Sequence, residues 1–441
     1  MIKNKINWII LAVAMLMMNV GLHSYGQATD SIEHYIELAG RNNPRIKSDF
    51  LKYKSSLEKI PQAGAYPDPT LDIGVFLKPM DIIDGKQVAD FKIMQMFPWF
   101  GTQKAARTEA EQMAKMAYEE FRLSVNNLYL DVYTKWYEMS SLQQQLKNSN
   151  ENKALLLQLE KLAERKFSSP TNSSMGGSTS GGGMSDVLRI QIEIAELDNT
   201  IESIEAELNA KKAAFNAVLN QPAQNQISVS DTIIQTPYVF NVTAVMEQIT
   251  NENPMLKMII EEKLAYKAKA EADKKMSYPT LGVGVQYSLI NKRSDMALPV
   301  THMNGMDMFM PMVSISLPIF RGKYKAQQKE SELAILSTVE KYEDTRNSLE
   351  AQAYQVKYEL DDAARKIELY EKQTTLAQTT YKLLVQEFVS GRSDLTNLIQ
   401  VHRQLLDYTF KKADATAQYN TVVASIRSLI SFNTPEHFNS K

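Results

Sequence analysis

The side chains with the most chemical potential in this sequence are methionines. The chain has 22 of them, and a dense run lies in His302-Met303-Asn304-Gly305-Met306-Asp307-Met308-Phe309-Met310-Pro311-Met312. A thioether is a soft ligand suited to Cu(I) or Ag(I). It is also a flexible apolar filler, and the spacing alone leaves both readings open. Met308, Met310 and Met312 share one face of an extended segment with Ser314 and Ser316, while Phe309, Val313, Ile315 and Leu317 share the other. If the second face meets lipid, the three methionines line a lumen. No catalytic set accompanies them. His34, His302, His402 and His437 are widely separated, the chain has no cysteine, and it contains no HExxH, P-loop or nucleophile elbow. The sequence reads as a non-enzyme without a cofactor.

The elements that hold these residues come in duplicate. Asn43-Pro44 recurs as Asn253-Pro254, and Tyr66-Pro67 with the segment from Thr70 to Val75 recurs as Tyr278-Pro279 with the segment from Thr280 to Val285. Phe97-Pro98-Trp99-Phe100-Gly101 is echoed by Leu317-Pro318-Ile319-Phe320-Arg321-Gly322, and Ser185-Asp186-Val187-Leu188 falls on Thr396-Asn397-Leu398-Ile399. Four landmarks in one order at nearly one offset define a repeat. We read residues 1–26 as a signal peptide, 27–230 as a first repeat and 231–441 as a second.

Within each repeat the apolar period changes. Leu71, Ile73, Val75 and Leu77, like Leu281, Val283, Val285, Tyr287 and Leu289, alternate with other residues, giving strands with one greasy face. Return strands are expected over 91–97 and 308–317. The hairpins thus occupy about 70–98 and 280–318, with long polar loops at 78–90 and 290–307. The period then becomes helical. Tyr118, Phe121, Val125, Leu128, Val132, Trp136, Met139 and Leu142 step by three or four, and Val187, Ile190, Ile194, Leu197, Ile201, Ile204 and Leu208 form a heptad seam. Leu398, Val401, Leu405, Tyr408 and Tyr419 are its counterpart. Long helices over 102–167 and 322–389 each run roughly 100 Å. Each matches two shorter ones laid end to end, 43–64 with 185–219 and 254–276 with 393–430. Tip turns fall at about 167–185 and 388–395.

Composition excludes several classes. Forty-nine Lys and Arg against 51 Asp and Glu leave no electrostatic footprint for nucleic acid. Mean hydropathy is −0.31, and no segment after residue 26 has the length and apolarity of a membrane helix. Lys3 and Lys5, the apolar run from Trp8 to Val20, and small residues at Ser24 and Gly26 form the three parts of a secretory signal, cleaved before Gln27. A two-stranded hairpin is barely stable alone, and strand edges in lipid must be paired. Four strands cannot close a barrel in one chain, because small barrels need about eight. Several chains must therefore contribute, in a number that edge pairing does not set.

The Tyr-Pro strand entry, the Pro-aromatic exit into a long helix, the tip turn and the duplication together resemble the TolC-like outer-membrane efflux family over essentially the whole mature chain. The resemblance implies a mainly α fold with a small β-barrel part. In it, duplicated coiled-coil helices form a trimeric α-barrel, and four strands per chain join a twelve-stranded transmembrane barrel in outer-membrane lipid. It implies a passive exit channel working with a periplasmic adaptor and an inner-membrane RND-type pump, and the methionine run points toward heavy-metal cargo. The same duct could serve type I secretion, and a periplasmic coiled-coil scaffold is a competitor of another class.

By the resemblance, the tips meet the adaptor through Ser185 and Asp186 of the first turn and Gly391, Arg392, Ser393 and Asp394 of the second. Gly391 equally suits a left-handed helix stop, and Ser393 or Asp394 an N-cap. Two departures stand out. The first tip carries a Ser/Gly-rich insertion over 168–183, and the acidic positions that ring the entrance in many family members fall here on Asn397 and Gln400. Asp186 and Asp394 remain as acids for a weaker constriction.

Overall fold

In the computed structural model, residues 31–168, 183–293, 302–390 and 392–432 are described. The signal segment, most of the Ser/Gly insertion, Gly391 and His437 lie outside them. Among the described residues the first repeat contains α1 (Ile32–Asn42), α2 (Pro44–Ala63), β1 (Thr70–Ile82), β2 (Gly85–Phe97), α3 (Thr102–Ser168) and α4 (Met184–Val218). The second contains α5 (Val242–Glu252), α6 (Pro254–Met276), β3 (Thr280–Asn291), β4 (Met308–Ser316), α7 (Arg321–Val389) and α8 (Leu395–Ile430). The order is the same in both.

The long helices are 67 and 69 residues, each roughly 100 Å. Helix α3 packs on α2 along one part and on α4 along the other; α7 does the same with α6 and α8. Contacts of α3 with α6 and α8 join the repeats into one rod. The heptad seam is where the period places it: Val187, Ile190, Leu197, Ile201, Ile204 and Leu208 are buried, as are Leu398, Leu405 and Tyr419. Three large cores follow. One packs Tyr35, Phe121, Trp136 and Phe215 in the first repeat, and its counterpart packs Leu256, Leu349, Tyr419 and Ile426 in the second. The third lies at the tips and mixes both repeats through Leu159, Val187, Ile190, Tyr381, Phe388 and Leu398.

The Asn-Pro landmark has a structural cause. Asn43 caps α2: its Oδ1 accepts from the backbone N–H of Arg45 at 2.9 Å and Ile46 at 3.3 Å, with Pro44 in the first turn. Its Nδ2 donates to the Val218 carbonyl, the end of α4, at 2.9 Å. Asn253 caps α6 in the same way and donates to the Leu429 carbonyl near the end of α8 at 2.8 Å. Each amide therefore starts one helix and ties down the terminus of another, satisfying orphan groups at both ends.

The four strands form one antiparallel sheet in the order β1-β2-β3-β4, so β2 and β3 join the repeats and β1 and β4 are edges. The first hairpin corrects an expectation. Residues 78–90 are not a long loop, because β1 runs to Ile82, β2 starts at Gly85, and the turn is short. The register shifts between Val75 and Met80, which absorbs Pro79, and pairing then resumes as Met80 with Gln87, Asp81 with Lys86, and Ile82 with Gly85. Gly85 has φ +139, a conformation open to glycine. The second loop begins later than expected, since β3 continues through Asn291.

Candidate channel wall and helix tips

Register sorts the sheet into two faces. On one lie Leu71, Ile73 and Val75 of β1, Phe91, Ile93 and Phe97 of β2, Leu281, Val283, Val285, Tyr287 and Leu289 of β3, and Phe309, Val313 and Ile315 of β4. Most of these are exposed, Val313 by 75%. A contiguous exposed apolar face of this extent marks an interaction surface, and its alternation with polar residues is the pattern of a barrel wall in lipid. At the helix end sits an aromatic collar. Trp99 stacks on Tyr278 at 5.3 Å, Tyr66 meets Phe97 edge-on at 5.6 Å, and Phe100 and Phe320 are exposed beside them. Amphipathic rings of this kind favour the membrane–water boundary. The chain leaves the sheet through Gly101, whose φ is +80 and whose carbonyl accepts from Lys275 Nζ at 3.2 Å.

The opposite face carries Thr70, Asp72 and Gly74; Asp90, Lys92, Met94 and Met96; Thr280, Gly282, Gly284, Gln286 and Ser288; and Met308, Met310, Met312, Ser314 and Ser316. Met308, Met310 and Met312 are therefore on the polar face, across from Ser288, Gln286 and Gly284. Met94 and Met96, about two hundred residues earlier, share it. Nothing in local sequence joins them to the later run, because the β2–β3 pairing between repeats is long-range.

At the tips, Asp394 is the N-cap of α8, its side chain accepting from the Asn397 N–H at 3.1 Å, whereas Ser393 makes no such bond. The Arg392 N–H closes the end of α7 on the Glu387 carbonyl at 2.8 Å. Asp186 lies half-buried in the first turn of α4, whose cap position, Gly183, offers no side chain. Ser185, Arg392, Asp394, Asn397 and Gln400 are exposed. Gln400 lines a groove of 440 Å³ between α4 and α8 with Ile192, Ile399 and Gln404.

Side chains cross that groove. Arg403 Nε donates to Glu193 Oε2 at 2.8 Å, its Nη2 reaches the other oxygen of Glu193, and the same Nη2 lies 3.1 Å from Glu196. Arg189 donates to Thr396 Oγ1 at 3.2 Å. On the other side Lys166 sits 4.3 Å over the Phe388 ring and donates to the Phe388 carbonyl at 3.1 Å. The two repeats are thus latched at their ends by charge-assisted bonds. Beneath the latch His402 is 2% exposed, its ring 5.8 Å from that of Tyr381, and its Nε2 has no partner. Burial holds the imidazole below its ordinary pKa, although the Asn152 carbonyl and Glu193 pull it partly back. Burial alone pushes the Tyr381 phenol up to about 12.

Sequence reasoning missed Arg403, Glu193 and His402. Their type and period were visible, but not their partners in the other repeat. Among the described residues no group of three His, Cys, Asp or Glu is placed to hold a metal, and no helix is long and apolar enough to cross a membrane.

A sheet with one apolar, exposed face is thus set on paired rods through an aromatic collar. Residues 245–431, most of the second repeat, match the family model described as outer membrane efflux protein. No curated protein matches the chain. Among solved structures, CusC is similar with a TM-score of 0.70 at 16% identity, covering 92% of each chain. VceC of Vibrio cholerae gives 0.69 at 14% identity, over 91% of this chain and 96% of that one. CmeC of Campylobacter jejuni gives 0.69 at 11%, over 95% and 93%. At such identities the likeness to solved structures is one of fold. The family match adds to this over residues 245–431, under half of the chain.

Proposed function

We propose that this chain is the exit channel of a tripartite efflux system. Three copies close their sheets into one twelve-stranded barrel in the outer membrane, and their rods form a duct through the periplasm. The observation that carries this reading is the sheet itself: its outer face is apolar and exposed, and β1 and β4 are bare edges on a structure built as one rod. Lipid contains no water to satisfy edge N–H and C=O groups, so edge must meet edge in a neighbouring copy.

Transport through such a duct is passive. An inner-membrane pump of the RND type supplies the energy, and a periplasmic adaptor meets the tip turns at Ser185, Asp186, Arg392, Ser393 and Asp394. Asp186 and Asp394, with the neutral Asn397 and Gln400, surround the entrance. Adaptor engagement opens the tips by parting α4 from α8, against the links that Arg403 and Arg189 make across the groove. The methionines on the polar face favour a soft metal ion as cargo; a deletion strain with unaltered copper and silver tolerance would remove that reading.

The absence of native cysteine permits a direct test of the barrel. Single cysteines scanned along β1 around Ile73 and along β4 around Val313 should, on oxidation, give a ladder ending at three chains. Monomers at every position in the scan would reject edge-to-edge closure.

A further inference from the structure

Between Thr70 and Ser288 the paired part of the polar face obeys a simple composition. Every side chain on it is polar, or glycine, except for the methionines. In this stretch the aliphatic and aromatic residues lie on the other face, so its non-polar groups on the watery side are thioethers; beyond it Ile290 and Phe76 continue the same alternation.

Their arrangement is also specific. One row across the sheet reads Thr70, Met94, Gly284, Met312; the row toward the helices reads Met96, Gly282, Ser314; the row on the other side reads Lys92, Gln286, Met310. Two glycines therefore lie between two methionine-bearing strands. A Cβ at Gly282 would stand 2.6 Å from Met96 Sδ and 3.2 Å from Met94 Sδ, and one at Gly284 would stand 2.9 Å from Met94 Sδ. Both sulfurs of β2 thus occupy the hollow that β3 leaves by having no side chains there, and they lean toward β4. Met94 is 8% exposed, while Met312 is half-buried at the far rim of the same hollow. Strands two places apart are separated by roughly 10 Å, a gap that two unbranched side chains with three rotatable bonds each can close.

We propose that Met94, Met96 and Met312 form a thioether site for a soft monovalent cation, Cu(I) or Ag(I), on the water-facing side of the sheet, with Met310 at its rim. Thioether donors select soft d10 ions over Zn(II) or Mg(II). The glycines make the site by letting sulfurs from β2 and β4 converge above β3. Binding itself stands on the sheet geometry; its use in transport rests on the channel reading above.

The test uses the purified full-length oligomer in detergent, labelled with 13C at the methionine methyls, titrated with Ag(I) and, separately, with Zn(II). Single Leu substitutions assign the resonances. Ag(I) should move the methyls of Met94, Met96 and Met312 together and leave those of Met303 and Met306, which sit in the exposed loop, in place; Zn(II) should move none. The pair M94L and M312L should weaken Ag(I) binding on the order of tenfold or more. G282A keeps every sulfur but fills the hollow, and it should weaken binding as well. Unmoved methyls at Met94, Met96 and Met312 in the wild-type oligomer, or uniform shifts of every methionine, overturn the site without reliance on any variant's folding. The binding measurement needs no transport. A protein that binds Ag(I) at these sulfurs yet conducts nothing keeps the site and loses the channel. One that conducts while these methyls ignore Ag(I) does the reverse.

Discussion

Replacing Arg403 with alanine should open the tip. The guanidinium grips both oxygens of Glu193 and lies 3.1 Å from Glu196, so a single side chain on α8 makes the main charged link to α4. An exposed ion pair usually contributes at most about 1 kcal/mol. Here the Arg403 side chain is 57% exposed but that of Glu193 only 10%, and the contact is forked. Bidentate geometry and a largely covered carboxylate raise the contribution to about 1–2 kcal/mol per chain. At room temperature that shifts a closed–open balance by roughly 5- to 30-fold. Single-channel recording in planar bilayers reads the effect as a longer open dwell or a higher conducting level. Arg403→Lys keeps the charge without the fork and should fall between the two. Arg403→Ala and Glu193→Ala should be non-additive, because each removes the same contact. Conductance unchanged in Arg403→Ala, with additive behaviour in the double variant, would refute the latch.

Three further outcomes follow from the same geometry. The pKa of His402 is held below its ordinary value in the folded protein, so the folded state takes up its proton less readily than the unfolded one. The stability it contributes is full above about pH 6.5 and is lost as pH falls through that value toward the depressed one. Acidification should therefore loosen the tip, measured as faster proteolysis near residue 390, and His402→Leu should flatten the profile; an unchanged profile in that variant assigns the pH effect elsewhere. Ile93→Arg on the apolar face should cost about 2–4 kcal/mol at mid-membrane and abolish the membrane-inserted oligomer, whereas Gln286→Arg, on the polar face one strand away, should assemble normally. Asn253→Ala removes the α6 cap and strands the Leu429 carbonyl, a loss of about 2–3 kcal/mol visible as a lower denaturant midpoint by circular dichroism. Asn253→Ser, which keeps a neutral cap acceptor without the donor to Leu429, should recover about half of it.

Much of the fold was legible because it is periodic and said twice. The seam from Val187 to Leu208 and the landmarks at Asn43, Tyr66 and Phe97 each had a second copy against which to be checked. What escaped was long-range or locally contrary. The segment 78–90 is polar and contains Pro79, which reads as loop, yet a register shift lets it continue as two strands to the turn before Gly85. The Asn-Pro pairs were visible as landmarks, but their second role needed the helix ends at Val218 and Leu429, some 175 residues away. Periodicity likewise places Arg403 on an outer face without telling which face of α4 it meets. The methionine site was half legible: Met308, Met310 and Met312 formed a run, while Met94 and Met96 joined them only through the β2–β3 pairing.

The arrangement also gives each part of the chain a distinct task. Asn caps and buried cores lock the rods in each repeat, while β1 and β4 each keep one edge unpaired in the sheet. The tip combines a packed core with a polar latch, so it can part without unfolding the helices behind it.

The most direct test of the central claim is the mass and location of the native species. Gently solubilised membrane fractions should contain the protein in the outer membrane as an assembly of three chains that collapses to single chains on heating in detergent. Recovery of a single-chain species from the soluble periplasm would contradict the channel.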